Sequence, residues 1–443
     1  MPSFIPFSAA QKLSRPDNFA TLVKPVGSTC NLHCAYCYYL DKADIYGGKL
    51  PRMSHELLEE YVRQYIQAMD APSVTFCWHG GEPLLAGLPF YQKAIELQNK
   101  YRGSKEIVNT LQTNGTLVTD EWCTFFRRNN FLVGLSLDGP AEIHDSYRRD
   151  RGGRPTFRNV LRAAQMMSTA GVEFNILCTV NARSADHAVE IYRFLRTISP
   201  FIQFLPVVEH TDGCGRIVSP ETETNIRGKG QREASALPSP SATGKSQDTS
   251  QGIQLAPYSI GAAEWGTFLC KVYDEWVRND VGRIFVQLFD ITLAQWCGMP
   301  STLCAFSETC GEGLAVEHNG DVYSCDHFVY PEHRLGNITE TPLKQLWHDK
   351  RQFQFGMSKY DGLPPVCRKC RYLFLCHGEC PKHRFDTDAR GEKGLNSLCQ
   401  GYKQFFKHTE NDMKQMRSLL EKNLPPALIM QSGKHPSSSG SII

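Results

Sequence analysis

Three cysteines, Cys30, Cys34 and Cys37, stand in CNLHCAYC at the spacing C-x3-C-x2-C. Three thiolates on one tight loop can hold three irons of a 4Fe–4S cube and leave the fourth iron open to a chelating ligand. Zinc is the other reading of this loop, because His33 lies beside the thiols as a possible fourth ligand. A second concentration comprises Cys304, Cys310 and Cys325, then Cys367, Cys370, Cys376 and Cys380 in VCRKCRYLFLCHGEC, and finally Cys399. Eight thiols at these spacings suffice for two four-cysteine sites, of iron–sulfur or of zinc. Spacing alone does not say how the two sites would share them. The run Gly80-Gly81-Glu82-Pro83 reads by itself as a tight turn. Arg148, within RRDRGGR, reads as a solvated loop arginine, and Asp326 as a loop aspartate capping backbone amides.

These residues need a frame. From about residue 20 to 210 short apolar runs alternate with amphipathic stretches. Strands are expected at 21–27, 74–80, 107–113, 131–137, 172–180 and 201–209. Helices are expected from an N-cap at Ser54 and over 88–101, 119–129, 156–170 and 183–198. Strands separated by single helices imply parallel βα units with right-handed crossovers. Six units fit an α/β fold with a partial (β/α)6 TIM-like barrel, with chemistry at the C-terminal strand ends. The first cysteine loop follows the first strand, and the glycine pair follows the second.

Residues 211–257 are rich in Ser, Thr, Gly and Pro and read as a surface loop or disordered insert, so Cys214 within them is not expected to be a ligand. Helices are expected again near 262–278 and 401–421, and the last residues, QSGKHPSSSGSII, as a disordered tail. The domains expected are an N-terminal extension (1–19), a core with its insert (20–257), a bridging helix and cysteine-rich domain (258–400) and a C-terminal helix with tail (401–443). Cys77, Cys123, Cys178 and Cys270 sit inside apolar patterns and are expected to act as small hydrophobes.

Composition narrows the classes. The 443 residues carry a net charge of +2 and 17 cysteines. So small a charge, without basic–aromatic stripes, argues against nucleic acid, and no apolar run approaches a membrane span. The first residues lack a basic start followed by an apolar core, so a cytoplasmic protein with reduced thiols is expected.

The C-x3-C-x2-C loop with Tyr36 before its third cysteine resembles the signature of the radical S-adenosylmethionine superfamily. By that resemblance Cys30, Cys34 and Cys37 hold a 4Fe–4S cluster. Tyr36, Gly80, Gly81, Glu82, Ser136, Arg148 and Val208 would contact S-adenosyl-L-methionine, with Asn114 lining the same cavity. The C-terminal cysteines resemble the SPASM extension. That pattern implies one auxiliary cluster on Cys304, Cys310, Cys325 and Cys380 and another on Cys367, Cys370, Cys376 and Cys399, making three 4Fe–4S clusters. The stretches KPVGSTCNLHCAYCYYL, LQTNGTLVTDEWC, GDVYSCDHFVYPEHRLGNI and CQGYKQFF are similar to anaerobic sulfatase-maturating enzymes, over nearly everything from about 20 to 410 except the polar insert.

That family implies conversion of a sulfatase Cys or Ser to Cα-formylglycine by a 5′-deoxyadenosyl radical, with Asp326 as the base. It also implies an unfolded or nascent sulfatase chain bearing C/S-x-P-x-R as substrate, and an electron donor such as flavodoxin or ferredoxin. One departure stands out: many members have Gln before GGEP, and this chain has His79. The alternatives are a SPASM enzyme that crosslinks another peptide, which a precursor-binding domain would mark, and a zinc-ribbon module on an α/β scaffold, which would be colourless.

Overall fold

The computed structural model describes residues 17–39, 42, 45–46, 52–212, 217–218 and 254–431. The alternating apolar runs form strands β1 (Ala20–Val23), β2 (Ser73–Trp78), β3 (Glu106–Thr113), β4 (Phe131–Ser136), β5 (Phe174–Val180) and β6 (Phe201–Pro206). Between them run helices α1 (His55–Ala68), α2 (Leu88–Tyr101), α3 (Asp120–Arg128), α4 (Ala141–Tyr147), α5 (Phe157–Thr169) and α6 (Ala188–Leu195). Ser54 caps α1 by accepting the Leu57 amide, and the helix buries Leu58, Tyr61, Val62, Tyr65 and Ile66. Helical periodicity thus turns one apolar stripe onto the sheet. Each strand pairs in parallel with its sequence neighbour, from β1 to β6.

The sheet does not stop at six strands. The order is β10-β6-β5-β4-β3-β2-β1-β11-β12-β13, with β10 (Phe285–Val286), β11 (Gly313–Val316), β12 (Asp321–Tyr323) and β13 (Arg334–Asn337). β11 lies parallel to β1, matching Thr21 to Leu314 and Val23 to Val316. β12 and β13 extend it antiparallel. The cysteine-rich region therefore completes the sheet on the edge of β1 and covers hydrogen-bonding groups that would otherwise face outward.

Two later helices brace this body. α7 (Ala262–Asn279) and the C-terminal α10 (Cys399–Glu421) pack together, with α8 (Gln287–Trp296) against them and α9 (Lys350–Asp361) within the cysteine-rich region. Gly266 and Gly401 allow the contact of α7 with α10: a Cβ on Gly401 would strike Ala262 O, and one on Gly266 would lie 2.8 Å from Gly401 Cα. Among the described residues no helix is long and apolar enough to cross a membrane.

Several expectations change. The stretch 211–257 is not loop throughout, because β7 (His210–Thr211) pairs with β8 (Ile217–Val218) and β9 (Gln254–Leu255). These three strands are two residues each, too short for an alternating pattern to mark them. Cys214, the middle of that segment and residues 432–443 lie outside the described residues. The helix expected over 183–198 is shorter, since Ala185–His187 form a 3-10 turn before α6. α4, α8 and α9 were not expected. α4 is seven residues long, and α9 carries Gln352 and Lys359 on its buried face, where an apolar pattern would have marked it.

Candidate active site

The first cysteine loop leaves the C-terminal end of β1 and is clamped by its neighbours. Gly81 N donates to Gly27 O and Glu82 N to Thr29 O, both at 2.8 Å. A Cβ on Gly81 would collide with the Thr29 and Ser28 carbonyls, and Gly80 has φ +131°. The glycine pair is thus required by the close approach of two loops. From the other side His33 N donates to Arg149 O (2.8 Å), and Arg151 Nε to Cys30 O (2.8 Å). The run RRDRGGR is therefore the second jaw of the clamp. Asn114, after β3, places Nδ2 3.7 Å from Cys30 Sγ and 2.9 Å from Asn31 Oδ1.

Arg148 departs from its neighbours in that run. It is 8% exposed, its Nε donates to Asp138 Oδ2 (2.8 Å) and its Nη2 to Thr179 Oγ1 (3.0 Å). Tyr36 donates to the same Asp138 oxygen at 2.5 Å and lies under the guanidinium. The residue before Cys37 is in this way tied to the ends of β4 and β5. The solvated reading of Arg148 is corrected, since a buried guanidinium needs a buried partner and Asp138 supplies it. Asp138, directly after LSL, was missed; its signal is a carboxylate at a buried strand end.

Glu82 is fully buried, and both carboxylate oxygens are engaged, by Leu84 N and Thr113 Oγ1 on one and Asn114 N on the other. Burial pushes its pKa up to about 7 against those hydrogen bonds. Its carboxylate therefore fixes the end of β2 to the end of β3. Ser136 closes β4 and is buried, and Val208 follows β6 in the main core.

Asp326 meets this site from the cysteine-rich region. It forms a buried ion pair with Lys24, and its Oδ2 accepts from Tyr38 OH at 2.5 Å. Lys24, 0% exposed, directly follows β1 and also donates to His79 Nδ1 at 2.8 Å. Gly80 N donates to the same His79 nitrogen at 2.8 Å, which places the ring proton on Nε2. Burial and then Lys24 hold the His79 pKa down to about 4, so the ring is neutral. Burial opposes ionisation of Asp326, but the Lys24 ammonium holds its carboxyl well below the usual carboxylate range. Asp326 is thus not an amide cap; its carboxylate is held ionised by an ammonium and a phenol at the strand ends. Lys24 was missed, although a lone lysine in the apolar run TLVKPVG was its signal. Lys382 was also missed: it pairs with Glu209 at 2.6 Å and lies over the Tyr38 ring.

The structure sorts the eight later thiols into two groups. Burial is the main cause of their high pKa values, and mutual charge adds to it. Cys325 and Cys380 feel Cys304 and Cys310, whereas Cys376 feels Cys367 and Cys399, and Cys367 feels Cys370 and Cys399. The second set lines one cavity together with Lys403 and Tyr402. In the first loop burial likewise raises Cys30 to about 11 and Cys34 to about 12. Thiols so buried become thiolates only beside a bound cation. Two buried cations already stand at the later groups: Lys359 donates to Cys304 O and Ala305 O, and Arg384 to Gly378 O.

Among the described residues no group of three or more His, Cys, Asp or Glu side chains is arranged to hold a metal ion. Thiolates are the donors that an iron–sulfur cube takes, one to each iron.

Comparisons with known proteins agree with this geometry. The model of the radical SAM superfamily matches residues 25–195, and that of SPASM, an iron-sulfur cluster-binding domain, matches 304–371. The chain is 45% identical to a serine-type anaerobic sulfatase-maturating enzyme of Bacteroides thetaiotaomicron, covering 93% of this chain and 94% of the relative. It is 34% identical to a cysteine-type enzyme of Clostridium perfringens, covering 87% and 95%. The solved structure of native anSMEcpe with bound AdoMet superposes with a TM-score of 0.74 at 32% identity, covering 90% of this chain and 99% of that one.

Proposed function

Because this chain belongs to the anaerobic sulfatase-maturating enzymes of the radical S-adenosylmethionine superfamily, we propose that it oxidises an active-site Ser or Cys of a sulfatase to Cα-formylglycine. The observation that carries the reading is the meeting of Lys24 at the end of β1, His79 at the end of β2 and Asp326 beside Cys325. One carboxylate from the cysteine-rich region thereby stands at the strand ends that hold the first cysteine loop.

Cys30, Cys34 and Cys37 would hold a 4Fe–4S cluster, Cys304, Cys310, Cys325 and Cys380 a second, and Cys367, Cys370, Cys376 and Cys399 a third. When bound, the first cluster and S-adenosyl-L-methionine supply a 5′-deoxyadenosyl radical that removes a hydrogen atom from the substrate β-carbon. The chain's own part is to orient and to move a proton. Gly80, Gly81 and Asn114 shape the cavity around the cysteine loop, and Arg148 with Asp138 fixes Tyr36. Ser136 and Val208, at the ends of β4 and β6, would face the bound S-adenosyl-L-methionine. Asp326 takes the hydroxyl or thiol proton, with Lys24 holding the carboxylate ionised and in place. The remaining electron of the substrate radical would pass to a cluster held by the later cysteines, and a thioaldehyde from Cys would exchange its sulfur with water to give the aldehyde. The hydrophobic packing of Leu32, Cys34, Tyr36 and Val207 keeps water from the loop. The substrate is an unfolded or nascent sulfatase segment with C/S-x-P-x-R in the cytoplasm, and a flavodoxin or ferredoxin supplies the electron.

The test is anaerobic incubation of iron-reconstituted protein with S-adenosylmethionine, reductant and paired peptides bearing S-x-P-x-R or C-x-P-x-R. The serine-type relative is the nearer of the two named above, so the seryl peptide is the first choice. Mass spectrometry is expected to show an aldehyde formed in step with 5′-deoxyadenosine. Deoxyadenosine without peptide change would move the substrate to another peptide, and neither product from an iron-loaded preparation would overturn the enzyme reading.

A further inference from the structure

Helix α8, QLFDITLAQW, carries a single charged residue, Asp290. Five of its ten residues are buried and the other five are half-buried, so the helix is enclosed on every side. Asp290 stands at the centre of the less buried arc, flanked at helical spacing by Gln287, Leu293 and Ala294. Among the described residues no group donates to its carboxylate and no cation pairs with it, and burial by itself pushes its pKa up to about 7. A carboxylate in such a place ordinarily has a partner, because removing it from water unpaired is costly.

The topology says what Asp290 stands beside. β10 pairs with Phe201 and Ile202 at the start of β6, and α8 runs on along the rest of that strand. Phe204 turns to α7, its ring centroid 5.2 Å from that of Phe268, so Gln203 and Leu205 turn to the opposite face, where they are half-buried. In register, Gln203 matches Leu177 and Leu205 matches Thr179. Thr179 accepts from Arg148, which holds Asp138 and through it Tyr36. The sheet face beside α8 is therefore the face of the candidate active site. A second unsatisfied acceptor lies on it. Asn175, two residues before Leu177 on β5, has a buried Oδ1 that receives no hydrogen bond among the described residues. Both groups lack a donor, so what completes this face is rich in N–H groups and positively charged.

We propose that Asp290 receives a guanidinium of the substrate segment and so determines which peptides the enzyme accepts. This assignment rests on the reading that the substrate is a sulfatase segment bearing S-x-P-x-R, and it names the group that reads the arginine. A planar guanidinium offers the carboxylate two parallel hydrogen bonds and a cation, which draws it back to the ionised form. No proton or electron needs to move for this recognition. A lone carboxylate on an otherwise uncharged, enclosed helix weakens the free fold, and such local violations are expected where a site awaits its ligand.

The test uses the reconstituted holoenzyme with S-adenosylmethionine, reductant and two seryl peptides that differ only in carrying arginine or its neutral isostere citrulline. Aldehyde formation is followed by mass spectrometry over a range of peptide concentrations. Wild type is expected to show a KM at least about tenfold higher for the citrulline peptide than for the arginine peptide. In Asp290→Asn the KM for the arginine peptide is expected to rise to that for the citrulline peptide, so that discrimination between them disappears. A carboxylate with a merely structural role would lose stability on this change. Asp290→Asn is expected instead to keep its iron content and to melt no lower than wild type, because an unpaired buried charge has been removed. Discrimination that survives in Asp290→Asn overturns the proposal. So does a wild type indifferent to the citrulline replacement, a measurement that stands if the variant does not fold. Failure of wild type to form aldehyde on either peptide overturns instead the substrate reading beneath it.

Discussion

The two cysteine regions are held in different ways. The loop of Cys30, Cys34 and Cys37 is gripped by backbone hydrogen bonds with Gly81, Glu82 and Arg149, on a parallel sheet that buries Val74, Phe76, Trp78, Val133 and Ile176. The later thiols sit on short turns, and buried cations do much of the holding. Lys359 spans Cys304 O and Ala305 O, and Arg384 reaches the carbonyls of Lys359, Gly378 and His377. Burial lowers the pKa of Lys359 and of Arg384, and neighbouring thiols and Glu379 oppose that. The first region has the core of the sheet to shape it. The second is shaped around an expected negative cluster, so its order depends more on what it binds.

Removing iron sharpens that difference most. Chelation is expected to abolish amide-exchange protection across much of 304–399 while β2 to β5 keep theirs, as hydrogen–deuterium exchange would show. Equal loss in both regions would break the comparison.

Asp326 joins the two regions, and Asp326→Asn removes its capacity to take a proton. Aldehyde formation is expected to fall by about 10²–10⁴, with deoxyadenosine still produced, by chromatography and mass spectrometry of the same reaction. Lys24→Met would leave Asp326 buried without its cation. A loss of about 3–5 kcal/mol is expected in denaturant unfolding, confined to the contact of β1 with the cysteine-rich region.

A smaller effect is expected with pH. His79 is neutral in the folded chain, with a pKa near 4, whereas an unfolded histidine titrates near ~6.5. Between those values the unfolded chain binds the extra proton, so stability falls as pH drops through that window, by up to about 1.4 kcal/mol per unit. His79→Gln is expected to flatten that slope, as read by denaturation at pH 7 and pH 5. Asp326, held low, contributes in a separate window. Its stabilisation is present above the unfolded carboxylate value near ~3.9 and is lost only as pH falls toward its folded value. The smallest change is at a conventional cap: Ser54→Ala is expected to cost about 1 kcal/mol and to leave turnover unaltered.

Much of this was legible from the chain. Each expected strand run overlaps one of the strands β1 to β6, because alternation of apolar and amphipathic segments is a local property. Gly80 and Gly81 were legible as a turn but not as a clamp, since the Thr29 carbonyl they admit comes from another loop. α9 stayed hidden because its buried face carries Gln352 and Lys359, whose partners are distant carbonyls.

The sequence by itself determined the spacing of the cysteines, the order of the βα units and the chemistry those thiols suit. Only the tertiary structure decided which thiols share a group, that Arg148 is buried against Asp138, and that β11 joins β1. It alone brought Lys24, His79 and Asp326 together from three separate segments. The physical reason is range: periodicity and ligand spacing act over a few residues, whereas a buried charge is defined by whichever distant segment folds over it.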